Sequence, residues 1–389
     1  PSTSTFYCLT TTQCGANTAN FALTRNINAT GFSAANMRAL GTTNATYTGT
    51  FTGLGHSITG LSLSGSSNVG LFQSTGNGAA VRDLRLSATT ISGGTNTGAL
   101  VASASNSLSM SNVVMDAVTG ANAISSTNNY LGALIGTAGS GSLTNIYVLN
   151  TNVTGTSWVG GVAGNGSMTV TNVHKVGNVT ATGSTVGGAF GYMSGTISNV
   201  DSVGNVTVTG SNYSVGGLIG DGGSSTITNA FATGTVAATA SYQVGGLMGV
   251  NGSGTLTNVS TSGGNVSGTY RVGGLVGYIS STGNITTAST TGNVIGTADT
   301  VGGLVGYYNN GTITSATSSG DVSGTYAVGG LVGYQIGTAT INTSSTSGRV
   351  TGTANHVGGL VGYTYTGSLT VAGSSSTGNV QGTTRVGGL

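Results

Sequence analysis

The chain has 389 residues, of which 8 are Lys or Arg and 6 are Asp or Glu, giving a net charge of +2 and only 4% charged residues; an ordinary soluble domain carries about 25%. Gly contributes 73 residues against a single Pro, which excludes collagen, because that fold needs Gly at every third position with abundant Pro. No Glu and only one Lys, Lys175, occur, so most general acids and bases are missing and an enzyme is not expected.

Residues 1–60 hold Phe6, Tyr7, Phe21, Phe32, Tyr47 and Phe51 with weak periodicity. They read as an N-terminal cap and lead-in coils for a repeat array over 61–389, since the end of such an array exposes strand edges that need cover. Cys8 and Cys14 are the only cysteines. A small-loop disulfide in an oxidising, extracellular setting is the favoured reading, because their spacing does not match the tight pairs of zinc sites and no second pair follows. No metal and no cofactor are expected. The chain starts at Pro1 without Met and stops at Leu389 inside a repeat, as expected of part of a longer, processed protein.

From residue 143 onward three marks recur in register. The first is Val-Gly-Gly-Leu-Val-Gly-Tyr, at 272–278, 301–307, 328–334 and 357–363, with variants starting at Val159, Val186, Val215 and Val244 and a partial copy from Val386. The second is an apolar residue among threonines, at Leu143, Val170, Ile197, Ile227, Leu256, Ile285, Ile313, Ile341 and Leu369. The third is a Gly-x-Val step at Val179, Val206, Val236, Val266, Val294, Val322, Val350 and Val380. A constant period of about 28 residues, with β-branched segments and Gly corners, predicts an all-β fold. Each repeat makes one coil of a parallel β-solenoid with three short strands. Helices are disfavoured, because Glu is absent, Lys occurs once and the chain is dominated by Thr, Val, Asn and Gly, which are poor in helix interiors. A bend or bulge is required at the paired glycines, because strict alternation cannot carry the chain from Val272 to Tyr278.

Two residues beyond the second mark stand Asn145, Asn172, Asn199, Asn229 and Asn258, replaced later by Thr287, Ser315, Thr343 and Val371. These asparagines fit an amide ladder inside the stack, and ordinary turn residues are the alternative. Tyr213, Tyr242, Tyr270 and Tyr326 stand two residues before the motif Val, with Asp299 and Asn355 interrupting the series and Trp158 one residue out of register. A second series is Tyr192, Tyr278, Tyr307, Tyr334 and Tyr363. Either series offers a binding or docking face, and like-on-like stacking between coils is the alternative.

The run Thr50–Leu61, the segment Asn68–Phe72 and the segment Val81–Leu86 together resemble the opening of the GLUG-repeat region of filamentous-haemagglutinin-type bacterial adhesins. The Val-Gly-Gly-Leu-Val-Gly units are similar to the GLUG motif itself, and Phe21–Ile27 looks like the strand that precedes it, with Asn26 where the family has Asp. The resemblance covers roughly residue 20 to the end. It implies a right-handed parallel β-helix on a large secreted or bacterial surface protein, and it leaves the ligand open.

The functional expectation is an extracellular structural or adhesive protein, a β-solenoid stalk or fibre subunit that associates laterally or end to end, since the low charge leaves little repulsion between chains. The runner-up is a surface-binding module for carbohydrate. Ice is a weaker form of it, because Thr-Ile-Thr at 226–228 and 312–314 is interrupted at 196–198 and 340–342. No nucleic acid partner is expected from scattered Arg at near-zero net charge. No membrane insertion is expected either, since Gly, Thr, Ser and Asn interrupt every apolar run.

Overall fold

The computed structural model describes residues 17–31, 46–118, 120–211 and 213–389. Cys8 and Cys14 lie outside them. The described chain is all strand and turn, folded as a β-solenoid with about 29 residues from one turn to the next. Contacts divide it into two compact units, Pro1–Gly177 and Asn178–Leu389.

In the second unit one coil runs through Ile219–Asp221, Thr226–Thr233, Val236–Ala238 and Gln243–Gly245. The first two segments lie in one wide sheet and the other two each build a narrow sheet. The expected three segments per coil are therefore three sheets, of which the wide one takes two segments. These fuse into continuous strands in later coils, Val305–Ser318, Val332–Asn342 and Val361–Ala372.

Equivalent positions stack in parallel register. Val215, Val244, Val272, Val301, Val328, Val357 and Val386 pair in succession in one narrow sheet. Val206 to Val380 do the same in the other. In the wide sheet Ile197, Ile227, Leu256, Ile285, Ile313 and Ile341 follow one another, and the last coil places Val371 opposite Ile341. Leu369, the expected equivalent, sits opposite Ala339 instead, because the register slips between Gln335 and Gly337.

The paired-glycine corner is a bulge. The amides of Leu275 and Val276 both donate to the carbonyl of Leu304, at 2.9 and 3.0 Å, and Leu304 with Val305 repeat this on Leu331. Side chains turn inward on both sides of the corner, so Val272, Leu275 and Val276 are all fully buried. Glycine is required here by closeness rather than by φ: a Cβ on Gly274 would collide with the carbonyl oxygen of Gly303 in the next coil.

The first unit uses the same plan with less regular sequence. Phe21, Phe51, Val81, Met110, Leu143 and Val170 stack in the wide sheet. A parallel column runs Ile27, Ile58, Leu86, Met115, Val148 and Lys175. Val69, Thr97, Leu131 and Val159 form the narrow-sheet row. Within residues 1–60, the described strands Phe21–Ala22 and Thr50–Thr52 already run in register with the coils that follow. Their core is aromatic: the Tyr47 ring lies 4.9 Å from Phe72 and 6.1 Å from Phe21, and its hydroxyl donates to the Ala19 carbonyl at 3.0 Å. Burial raises the Tyr47 phenol to about 12.

Candidate functional site

The asparagine positions share one backbone state. Asn145 and Asn172 have φ of 56° and 56°; Asn199, Asn229 and Asn258 have 54°, 55° and 53°. Asn is the side chain other than Gly that tolerates the left-handed region best. In the first unit Asn112 Nδ2 donates to Asp83 Oδ1 at 2.8 Å, Asn145 to Asn112 at 2.9 Å and Asn172 to Asn145 at 3.0 Å. In the second unit Asn229 donates to Asn199 at 3.0 Å and Asn258 to Asn229 at 2.7 Å. The ladder lies on the outer surface, not inside the stack. The left-handed residue breaks the strand alternation, so its apolar neighbours keep the interior while the amide turns outward. Thr287, Ser315 and Thr343 hold the same φ region, and in the last coil Gly373, not Val371, occupies it.

A groove flanks this ladder in each unit. One, of about 520 Å³, is lined by Leu54, Asp83, Arg85, Asn112 and Val114. The other, of about 370 Å³, is lined by Asn199, Asn229 and Asn258 with Asp201, Phe231 and Ser260. Arg85 is held by an ion pair to the buried Asp116 at 2.5 Å.

The first aromatic series separates into three groups. Tyr213, Tyr242 and Tyr270 stack ring on ring, with centroids 5.7 and 4.7 Å apart and interplanar angles of 15° and 14°. Tyr326 is not a rung of that stack; it meets His356 at 5.0 Å and Tyr363 at 6.3 Å. Trp158 pairs with Tyr130 in the first unit at 5.6 Å. Both precede the motif position by one residue and have positive φ, 54° and 57°, so Trp158 occupies a different coil position from the tyrosines.

The second series is continuous only from Tyr278. Tyr192 pairs in register with Asp221, and Asp221 with Val250, before Tyr278 is reached. Tyr278 and Tyr307 meet edge to face at 5.2 Å, Tyr307 and Tyr334 stack at 4.8 Å, and Tyr334 meets Tyr363 at 5.4 Å. The Arg271 guanidinium lies 4.2 Å from the Tyr278 ring centroid and 4.7 Å from that of Tyr307, a cation–π contact. Burial raises the Tyr307 phenol, and burial with the crowd of neighbouring phenols pushes Tyr334 to about 12. Burial and then the Arg385 charge lower the His356 imidazole, whose Nε2 accepts from the Arg385 guanidinium at 2.7 Å. Arg271, His356 and Arg385 all stand one residue before a motif Val. Aligning the repeats on that position would have found them.

Lys175 is 1% exposed and donates to the Gly177 carbonyl; burial lowers its amine to about 7. Among the described residues no three His, Cys, Asp or Glu side chains come together, and no helix is long and apolar enough to cross a membrane.

The GLUG motif model matches residues 297–323. That segment is one coil: it contains the corner strand Thr300–Gly302, the fused strand Val305–Ser318 and the start of Val322–Gly324. No curated protein and no solved structure matches the chain. The chain therefore contains a GLUG-repeat region folded as a β-solenoid.

Proposed function

We propose that this protein is an extracellular structural or adhesive element of a bacterial surface, a β-solenoid stalk or fibre subunit of an adhesin-like protein. The observation that carries the reading is the coil-on-coil backbone hydrogen bonding within each unit, which stacks most of the described apolar side chains in that unit's interior. Such stacking gives length and stiffness from local contacts alone. Hydroxyls and amides, rather than charge, then keep the surface wet. GLUG repeats occur in extracellular bacterial proteins, which agrees with a surface location. Lateral or end-to-end association belongs to the same reading. Antibody labelling of intact cells tests location, and electron microscopy of native material tests assembly. Surface label with filaments or bundled rods is expected. Label found only after lysis overturns the surface assignment, and isolated single rods at all concentrations overturn the association.

A second reading, carbohydrate recognition, is favoured at the grooves beside the asparagine ladder rather than on the tyrosine stack. Tyr213, Tyr242 and Tyr270 cover one another's faces, so a sugar reaches mainly their edges, whereas exposed Phe231 stands beside a row of amides. A glycan array is expected to show binding that is lost in Phe231→Ala and kept in Tyr242→Ala; the reverse pattern overturns the assignment.

A further inference from the structure

The stacked tyrosines carry a chemistry that neither a stalk nor a glycan groove requires. Tyr213 is 66% and Tyr242 45% exposed, yet their rings and that of Tyr270 lie nearly parallel on three successive coils. Their backbone is pinned. The carbonyls of Tyr213, Tyr242 and Tyr270 accept from Gln243, Arg271 and Thr300 at 2.8, 2.8 and 2.7 Å, which sets the ring spacing from coil to coil. Tyr270 is half-buried, so Tyr242 is the phenol that meets an external oxidant, and Tyr270 lies against it at a ring distance of 4.7 Å.

We propose that Tyr242 and Tyr270 form an oxidative cross-linking site, at which a one-electron oxidant of the haem-peroxidase class, using hydrogen peroxide, joins adjacent coils through dityrosine. Each phenol gives up one electron and one proton, and hydrogen peroxide takes both pairs to become two waters. The two phenoxyl radicals then form one carbon–carbon bond between ring positions ortho to oxygen. The hydrogen on each joined carbon moves to its oxygen and restores the phenol. The product has lost two hydrogen atoms and contains a covalent staple between coils, in a chain whose only cysteines are Cys8 and Cys14. The 4.7 Å pair is favoured over Tyr213 with Tyr242 at 5.7 Å. Tyr307 and Tyr334 stack as closely, at 4.8 Å, but burial raises both phenols and makes proton release harder. They form an internal control.

Trypsin separates the two pairs. Cleavage after Lys175 and Arg271 places Tyr192, Tyr213, Tyr242 and Tyr270 in fragment 176–271, while Tyr307 and Tyr334 fall in fragment 272–349. The full chain is treated, dilute and folded, with a haem peroxidase and hydrogen peroxide, then denatured and digested. Fragment 176–271 is expected to lose two hydrogens and gain dityrosine fluorescence. Tyr242→Phe keeps the ring and the stack but removes the phenol, and is expected to lose both signals; Tyr213→Phe is expected to keep them. The proposal is overturned by modification mainly in 272–349, by products only between chains, by an unchanged signal in Tyr242→Phe, or by a lost signal in Tyr213→Phe.

Discussion

The two units solve the same interior position by opposite chemistry. In the first, the column at the end of the long strand is Ile58, Leu86, Met115 and Val148, closing on Lys175. In the second, the corresponding row within that unit is Ser202, Ala232, Thr261, Thr290, Ser318 and Thr346. Thr261, Thr290 and Thr346 donate to the carbonyls of Gly274, Gly303 and Gly359 at 2.9, 2.8 and 2.9 Å. Each of these glycines is the second of a pair, whereas the first unit carries Ala99 and Ala133 after Gly98 and Gly132 and reaches the glycine pair at Gly160 and Gly161, next to where its column ends. One corner excludes water by filling with apolar atoms. The other admits the backbone so closely that a carbonyl faces inward, and a small hydroxyl satisfies it.

Lys175 gives the largest expected effect, because it is the one charged side chain at the apolar end of this contrast. Its folded value of about 7 lies below its ordinary 10.5, so between those pH values the unfolded chain holds the extra proton. Stability therefore rises as pH climbs from about 7 towards 10.5 and is lost as pH falls back through that window, by at most about 1.4 kcal/mol per pH unit. Lys175→Met makes the column uniformly apolar. It is expected to abolish this slope and to stabilise the first unit at neutral pH by several kcal/mol, read from amide hydrogen exchange between pH 7 and 10. An unchanged slope would show that the amine does not stay buried.

Next in size is the corner. Gly274→Val in the second unit forces a side chain into the Gly303 carbonyl and is expected to cost about 3 kcal/mol or more, felt in the coils on either side. Loss of exchange protection confined to the mutated coil, with neighbours unaffected, would contradict the interlocked corner. Exchanging the two solutions then gives smaller effects. Thr290→Val leaves the Gly303 carbonyl without its hydroxyl partner and is expected to cost about 1–2 kcal/mol. Val148→Thr brings a hydroxyl to an apolar column and is expected to cost about 1–3 kcal/mol. Urea unfolding of both variants is decisive: if either is neutral, the two chemistries are interchangeable.

The smallest effect concerns the outer ladder. Thr287 holds a φ of 56° next to Asn258, a costly state for a β-branched residue. Thr287→Asn is expected to add a rung on the Asn258 amide and to raise stability by about 1 kcal/mol, read as a later urea midpoint. A fall in midpoint would mean that the threonine makes a contact worth more than the strain.

Much of the architecture was legible in the chain because stacking makes local contacts repeat: Val272 must be followed about one coil later by Val301 if each is to cover the other. The bulge at the paired glycines was likewise readable, since Val272 and Tyr278 cannot be joined by plain alternation. The outward face of the ladder was not. An inward and an outward amide row have the same period, and the left-handed φ that separates them is a backbone property. The slip that puts Gly373 in place of Val371 was hidden for a related reason: an apolar residue two positions away imitates the correct register. The tyrosines were legible only in part. The interruptions at Asp299, Asp221 and Val250 are legible in the spacing; what the spacing did not reveal is which rings touch, because ring contacts reach only nearest coils and Tyr326 turns to His356 and Tyr363 instead.

Period, class and corner glycines thus follow from residue order alone, because they depend on contacts between identical positions of neighbouring coils. Which side chains face water, which phenols touch, and whether a buried corner is filled or hydrogen-bonded are set by three-dimensional packing. Those outcomes turn on differences of an ångström or one backbone angle, to which a repeat pattern is blind.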